Sequence, residues 1–509
     1  MKRSKDAGST KRSAPGGGLA ILAILVSLAV AAVLLLLYAA AAHRLLSGPQ
    51  LRSWINTEPE STWLDYDEAT SLLPGRLQIK NLRIRGSDRN VQWIIRLAEA
   101  QVRYSVADLF ARRFHVLRVG GRGLSFRLRN KLDPKDPLKP PMSLLPPIPG
   151  FADPPLRSEK PERIDEGVGN PWAIEVQNLS VEGLEEIWID VYRFRGNARL
   201  HGGFFLRPGL LARVGPATIP VAGGQVGIGE DSIAAGLAGK IAASIDAYDP
   251  RLVRGSAVWD KISGDLKLEG RVESLRFLNY YLRPSPEPRL AGGSGPVRVA
   301  VHVERGLARG VVEASARQGE ARYAEATLRG DADLAMRIAS WRVERGPLEL
   351  AGSRIALSAV SSSGGDESRQ WWGRFEVPSG NIHAGALTAR VDTKCRDARP
   401  LFTLFRTKLP RWTRGLLSLE GLSATATVTL GPSLARVRDL DAAGGRFRIQ
   451  GEYVLKGKDR RGIFLIGTGP LNVGVGIRGD ATSVRLIGTH RWFEKERSES
   501  YGSTIEASR

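Results

Sequence analysis

The chain is 509 residues long, with 74 basic against 53 acidic side chains, a formal net charge of +21 and a single cysteine, Cys395. One cysteine excludes an intrachain disulfide, so stability must come from packing. Only 16 of the 74 basic residues are lysine, and a surplus of this size points to an acidic partner such as phospholipid headgroups, nucleic acid or an anionic glycan.

Residues 1–18 are polar and carry Lys2, Arg3, Lys5, Lys11 and Arg12 against Asp6. Leu19 to Ala42 has no charge. As a helix this run is about 36 Å long, enough to cross about 30 Å of hydrocarbon with some tilt. The alanines at 39–42 suit a signal peptidase, but the apolar core of a signal peptide is about 7–15 residues, so an uncleaved anchor is expected. The positive-inside rule places the basic terminus in the cytoplasm and everything after His43 across the membrane.

Residues 43–70 form a membrane-proximal connector, and a first β unit is expected over 71–132. In LPGRLQIKNLRIRG (Leu73–Gly86), Leu77 and Ile79 alternate with polar residues, as do Leu82 and Ile84, but the phase slips at Lys80-Asn81. A β-bulge there would bring all four onto one face. Val91, Trp93, Ile95 and Leu97 predict a second strand, as do Ala100, Val102, Tyr104 and Val106. In SVADLFARR, Ser105 is placed to cap a short helix, with Asp108 three residues on; FHVLRVGGRGLSFRLRN then reads as two more strands.

Eleven prolines between Asp133 and Pro171 predict an extended, poorly packed linker. Over 172–509, runs such as WAIEVQNLSVEG, GDLKLEGRVESL, PVRVAVHVERG and LSATATVTLG are separated by turn residues, the signature of an antiparallel meander. Two short amphipathic helices are expected, near 274–283 and 400–411. Each leads through a Gly-containing turn into strands, which suggests a loose internal duplication.

Signals for chemistry are weak. No two of the six histidines lie within about seventy residues of each other, which excludes a local zinc motif. GVGIRG (Gly474–Gly479) fits GxGxxG literally, yet no helix follows to hold a phosphate, and bending or turning glycines are the better account. The RGD at 478–480 is a three-residue match of the kind that arises by chance. The DAD at Asp331–Asp333 lacks the further oxygens of a calcium loop and reads as a solvated strand face. Neither a GxSxG elbow nor a P-loop occurs. No catalytic residue, metal ligand or cofactor site is therefore assigned. Arg399, Arg406, Lys408, Arg411 and Arg414 cluster around Phe402, Phe405 and Trp412. Single-stranded nucleic acid would use such a mixture, but a position across the membrane argues against nucleic acid. Arg399, Phe402, Phe405, Arg406, Lys408, Arg411 and Trp412 are instead candidate contacts for headgroups or the membrane surface, and an ordinary helix packed on the sheet has the same pattern.

The order of parts resembles the AsmA-like proteins of Gram-negative envelopes, the superfamily that includes TamB and YhdP. The resemblance rests on one N-terminal span, then LPGRLQIKNLRIRG, then LAEAQVRYSVADLFARRFHVLRVGGRGLSFRL, with GGRFRIQGEYVLKGKDRRGIFLIGTGPLNVGVGI similar to the family's closing repeats. It implies a mainly β fold: a transmembrane helix followed by a long, curled antiparallel sheet whose groove carries phospholipid acyl chains between membranes. The implied protein is a single-pass inner-membrane protein with a periplasmic body, not an enzyme, contributing to outer-membrane lipid homeostasis with phospholipid and an outer-membrane or envelope protein as partners. Leu77, Ile79, Leu82 and Ile84 are then the candidate lipid-facing residues. Members credited with spanning the envelope are longer; about 25 to 28 strands at about 4.8 Å would reach 120–130 Å in one groove. An assembly factor pairing with client β-proteins through sheet edges, and an envelope hydrolase with a dispersed site, are the alternatives.

Overall fold

A computed structural model describes residues 17–57, 62–87, 90–135, 142–157, 171–229, 231–253, 255–280, 289–323, 326–343, 345–362, 371–383, 385–397, 421–431, 434–456, 459–479 and 481–506. It is mainly β, with 69% strand and 14% helix, and consists of one large sheet and an N-terminal apolar helix.

That helix, α1 (Gly17–Ser47), is followed across Gly48 by the short α2 (Pro49–Ile55), where Pro49 suits a helix's first turn. The first strands are β1 (Thr62–Asp65), β2 (Glu68–Thr70), β3 (Arg76–Ser87) and β4 (Val91–Tyr104). Helix α3 (Val106–Phe110) then begins as expected, with Ser105 Oγ accepting from the Asp108 amide. The expected strand pair after it is one strand, β5 (Arg113–Asn130). Its internal Gly123 is left-handed, with φ of 68°, and bends the strand without ending it.

Eight long strands follow: β6 (Ala173–Ile189), β7 (Tyr192–Arg207), β8 (Leu211–Ile228), β9 (Asp231–Tyr248), β10 (Ile262–Val272), β11 (Arg289–Glu304), β12 (Leu307–Tyr323) and β13 (Ala326–Arg342). Shorter ones complete the sheet: β14 (Leu348–Glu349), β15 (Ser353–Ser362), β16 (Trp371–His383), β17 (Ala386–Cys395), β18 (Leu422–Gly431), β19 (Leu434–Gly444), β20 (Phe447–Lys456), β21 (Asp459–Thr468), β22 (Leu471–Arg478) and β23 (Ala481–Arg485). A last helix, α4 (Thr489–Glu506), closes the chain.

Strands β1 and β2 both pair with β3, and from β3 onward neighbours in sequence are neighbours in the sheet. The pairing is antiparallel throughout with one exception, and the two-residue β14 sits beside β15 between the ends of β13 and β16. About twenty inter-strand steps of about 4.8 Å give a sheet on the order of 100 Å from its first strand to its last. This is shorter than the sequence estimate, because the described part of 172–509 forms 18 strands, the longest of 18 residues, where 25 to 28 were expected.

The exception is β5 with β6, which are parallel. A parallel pair needs a crossover back to its starting end, and the proline-rich segment is that crossover. It does not interrupt the sheet, and its described part is not poorly packed: Pro146, Ile148 and Pro155 are fully buried. Arg129, itself 0% exposed, donates to Gln92 Oε1, Pro146 O, Ala152 O and Asp153 Oδ1 at 2.8–3.1 Å. Composition alone suggested a spacer, and one buried arginine converts it into a packed strap.

The expected helix near 274–283 is a 3-10 turn over Leu275–Tyr280, and residues 281–288 lie outside the described set. Gly479 of GVGIRG takes a left-handed φ of 57° in the turn after β22, while Gly474 and Gly476 lie on β22, where Trp492 of α4 covers them: a Cβ on Gly474 would come 2.6 Å from the indole. Close approach of a ring, not a phosphate, explains their spacing. Their partners Ile463 and Leu465 on β21 pack with Trp492 and Phe493, so α4 sits on one face of the sheet at its C-terminal end.

Candidate functional site: the apolar face of the sheet

The phase slip at Lys80-Asn81 has a different origin from a bulge. The β3–β4 register is constant on both sides of it, from Ile79↔Ala100 to Leu82↔Leu97, and Asn81 takes a left-handed φ of 52°. The next strand bends at Gly123, where a Cβ would lie 2.8 Å from the Cβ of Ala98. Alternation therefore inverts on neighbouring strands together, and the residues either side of the crease share a face.

The four residues singled out on β3 are brought together. Leu77 and Ile79 pack with Leu46 of α1, Leu51 of α2, Leu64, Tyr66 and Ala69. Ile79 and Leu82 pack with Leu97, Ala100, Leu124 and Val181, while Ile84 stands between Leu64 and Ile95 in the ladder. The basic neighbours are spoken for within the chain. Lys80 pairs with Glu68 at 2.7 Å, Arg83 reaches Asp65 and Asp67, and Arg85 lies over the Trp63 ring while donating to Pro149 O.

From β3 this apolar face continues across the sheet. Leu124 and Leu200 belong both to that cluster and to the next, which contains Leu184, Ala198, Val221, Ala234 and Leu237 and extends to Leu268 and Val297. From Val297 the ladder partners run Ala314, Leu334, Ile355, Phe375, Thr393, Ala424, Ala442, Ile449 and Ile466. Directly opposed residues point to the same side, so the row stays on one face from β11 to β21. Its middle is open: Ile355 is 42% exposed, and Leu334 and Phe375 are half-buried. At the C-terminal end α4 covers the opposite face and leaves Phe464 and Ile466 half-buried.

The opposite face carries charge ladders. Arg298 pairs with Glu269 at 2.6 Å, Arg317 with Asp333 at 2.8 Å and Arg448 with Asp441 at 2.6 Å. The DAD carboxylates belong to this face: Asp333 accepts from Ser315 and Arg317, and Asp331 from the Gln318 amide. Among the described residues no group of three or more His, Cys, Asp or Glu is placed to hold a metal ion.

These pairs set a pH dependence. The hydroxyl of Ser315, against an opposing effect of burial and helped by Arg317, holds the Asp333 carboxyl below its ordinary value. Hydrogen bonds from Arg448 to Asp441, and from Arg322 and Arg329 to Glu320, lower those carboxyls. Folded-state values below the unfolded ones mean that the stabilisation is complete above about pH 4 and is lost as pH falls through the folded values. Thermal unfolding followed by circular dichroism should give a flat midpoint from pH 7 to 5 and a falling one below pH 4; a rise on acidification would contradict these pairings.

Cys395 is buried beside Trp371, and burial, with Asp397 adding, pushes its thiol up to about 11. A protonated, enclosed thiol is unreactive. The native chain should resist maleimide at pH 7 and react fully in denaturant, a difference that mass spectrometry reads directly.

The charged and aromatic candidates Arg399, Phe402, Phe405, Arg406, Lys408, Arg411 and Trp412, and the helix expected over 400–411, lie outside the described residues. What sequence reasoning missed is the row from Val297 to Ile466. Its signal was present in PVRVAVHVERG and the runs after it, but alternation alone does not say which face of each strand joins the next.

One N-terminal helix is long and apolar enough to span a membrane, and its Ala29–Ser47 stretch has a mean hydropathy of 1.9 and is buried only near its end, at Leu46. The chain matches no family model, no curated protein and no solved structure.

Proposed function

We propose that the protein is a membrane-anchored, AsmA-like lipid-binding protein, with α1 in the inner membrane, the sheet in the periplasm, and the apolar face acting as a curled trough for phospholipid acyl chains. The observation that carries this reading is the continuity of that face. It begins against the C-terminal end of α1, runs through shared side chains to Val297 and continues in register to Ile466. Moving an acyl chain through water is opposed by about 0.8 kcal/mol per methylene, and an unbroken apolar row removes much of that cost without catalysis. Headgroups stay in water at the open side. Oligomerisation through the same face is the competing use of such a surface.

The test is a photoreactive amino acid at Phe375 in the full chain, irradiated in intact Gram-negative cells. Phospholipid adducts are expected at Phe375 and not at Glu376, which faces the other way. Adducts only to protein, or none at either position, would sink the reading.

One observation favours a second reading. Strand β23 is the last of the ladder and is exposed at all five positions, the form of an edge on which another strand can add. Protein adducts from β23 together with no lipid at Phe375 would favour the assembly-factor role.

A further inference from the structure

The end of the sheet nearest α1 has a chemistry of its own. Tyr38 of α1 hydrogen-bonds Ser71 at 2.7 Å, and Ser71 also donates to Arg76 O at the start of β3. Further along α1, the Leu46 carbonyl accepts from Tyr66, which follows β1. The first residues of β3 are therefore level with Tyr38, four residues before the apolar run ends at Ala42, or about 6 Å inside it. The turn at 71–75, α3 and the start of β5 meet at this same end, joined by Tyr104 N to Gly75 O and Ser105 N to His115 O.

Apolar side chains project from it. Leu72 is 77% exposed and Phe110 90% exposed, and Leu73, Val106 and Leu117 are exposed beside them. One residue further along the strands, Arg76 stands opposite Arg103, and Arg103 opposite Arg118. All three are exposed, and among the described residues none of the three guanidinium groups has an ion-pair or hydrogen-bond partner. Like charges directly opposed across strands are destabilising, and here three guanidinium groups stand in one row with no acid beside them.

We propose that this end of the sheet docks on the anionic phospholipid surface that α1 enters. Leu72, Leu73 and Phe110 lie in the boundary between headgroups and acyl chains, and the row Arg76–Arg103–Arg118 sits on the phosphates. This rests on α1 being a membrane span. Charge complementarity and depth both select that occupant: the arginines lack a counter-charge within the chain, and Tyr38 fixes the apolar tips at the level where hydrocarbon begins. Docking would hold the start of the apolar face against the bilayer.

The single, enclosed Cys395 allows one-site labelling of the full chain. Three variants, Phe110→Cys, Leu35→Cys on α1 and Ile189→Cys at the far end of β6, are labelled with an environment-sensitive fluorophore. Each is reconstituted in nanodiscs of phosphatidylcholine alone or with phosphatidylglycerol, containing spin-labelled lipid as quencher. Labels at 35 and 110 should be quenched and the label at 189 should not. Anionic lipid should strengthen the quenching at 110, and changing the three arginines to glutamine in the Phe110→Cys variant should remove that strengthening, each arginine weighting the docked state by about fivefold. The same Arg→Gln changes should leave the unfolding temperature in non-ionic detergent equal or higher, because they relieve repulsion; a lower one would mark the arginines as structural. Quenching at 35 without quenching at 110 overturns the docking proposal and leaves the span intact. No quenching at 35 overturns the span, and the docking with it. Quenching at 110 indifferent to anionic lipid and to the arginines overturns the headgroup contact.

Discussion

Replacing Arg129 with methionine is expected to lower the stability of the N-terminal half of the sheet by about 3–5 kcal/mol, the range for removing one member of a buried charged network. Methionine fills much of the volume but donates nothing. Gln92 Oε1, Pro146 O and Ala152 O then lose their donor in a site closed to water, and each such loss costs about 1–3 kcal/mol. Asp153, whose side chain is 57% exposed, is re-solvated at little cost. The consequence reaches beyond the strap. Burial of Pro146, Ile148 and Pro155 holds the crossover on which the parallel β5–β6 pairing depends, so a loosened strap exposes that junction. Limited proteolysis should cut within 146–157 in the variant and not in the parent, and the thermal midpoint should fall. Arg129→Lys keeps the charge but lacks the guanidinium's fork of donors, so it should fall between the two. Equal protease resistance and an equal midpoint in Arg129→Met would show that the strap is held by its prolines alone.

Much of the architecture was legible because sheet periodicity is a local property. Alternation in LPGRLQIKNLRIRG and GDLKLEGRVESL marked strands, the Ser105 cap marked α3, and an uncharged run from Leu19 marked the helix. Three features were not legible, each because it depends on partners distant in sequence. The role of the proline-rich segment turns on Arg129, an arginine among 58, whose burial has no sequence signature. The phase slip on β3 was visible, but its cause is a crease shared with β4 and β5, and a single strand cannot distinguish a left-handed Asn81 from an extra residue. The arginine row at 76, 103 and 118 is invisible until the register of two ladders is known. For the candidate site, the shared apolar face of Leu77, Ile79, Leu82 and Ile84 followed from one strand's pattern. The longer row from Val297 to Ile466 required nine successive registers, in which a slip of one residue reverses the face.

If the apolar face is the proposed lipid trough, a carboxylate at Ile355 should interrupt it while sparing the fold. Ile355 lies between Leu334 and Phe375 in the ladder, half a sheet away from α1, and is already 42% exposed. A glutamate there can turn its charge to solvent, so Ile355→Glu should unfold at nearly the parent temperature. A passing acyl chain meets that charge and must lift off the row. Lifting three or four methylenes into water costs about 3 kcal/mol at about 0.8 kcal/mol each, which is about a hundredfold in population. Photoreactive residues on either side read the result. Phospholipid adducts at Val297, between the block and α1, should persist, and adducts at Ile449, beyond it, should fall by about two orders of magnitude. Ala356→Glu places the same charge on the opposite face beside Arg374 and should change neither. A trough filled from the α1 end gives that asymmetry, whereas lipid that enters independently at each position leaves Ile449 labelled. Equal loss on both sides would instead mean that the substitution had disturbed the sheet, which the unfolding temperature reports separately. Persistence of labelling at Ile449 in a folded Ile355→Glu variant would therefore refute conduction along the row and reduce the face to a set of separate binding sites.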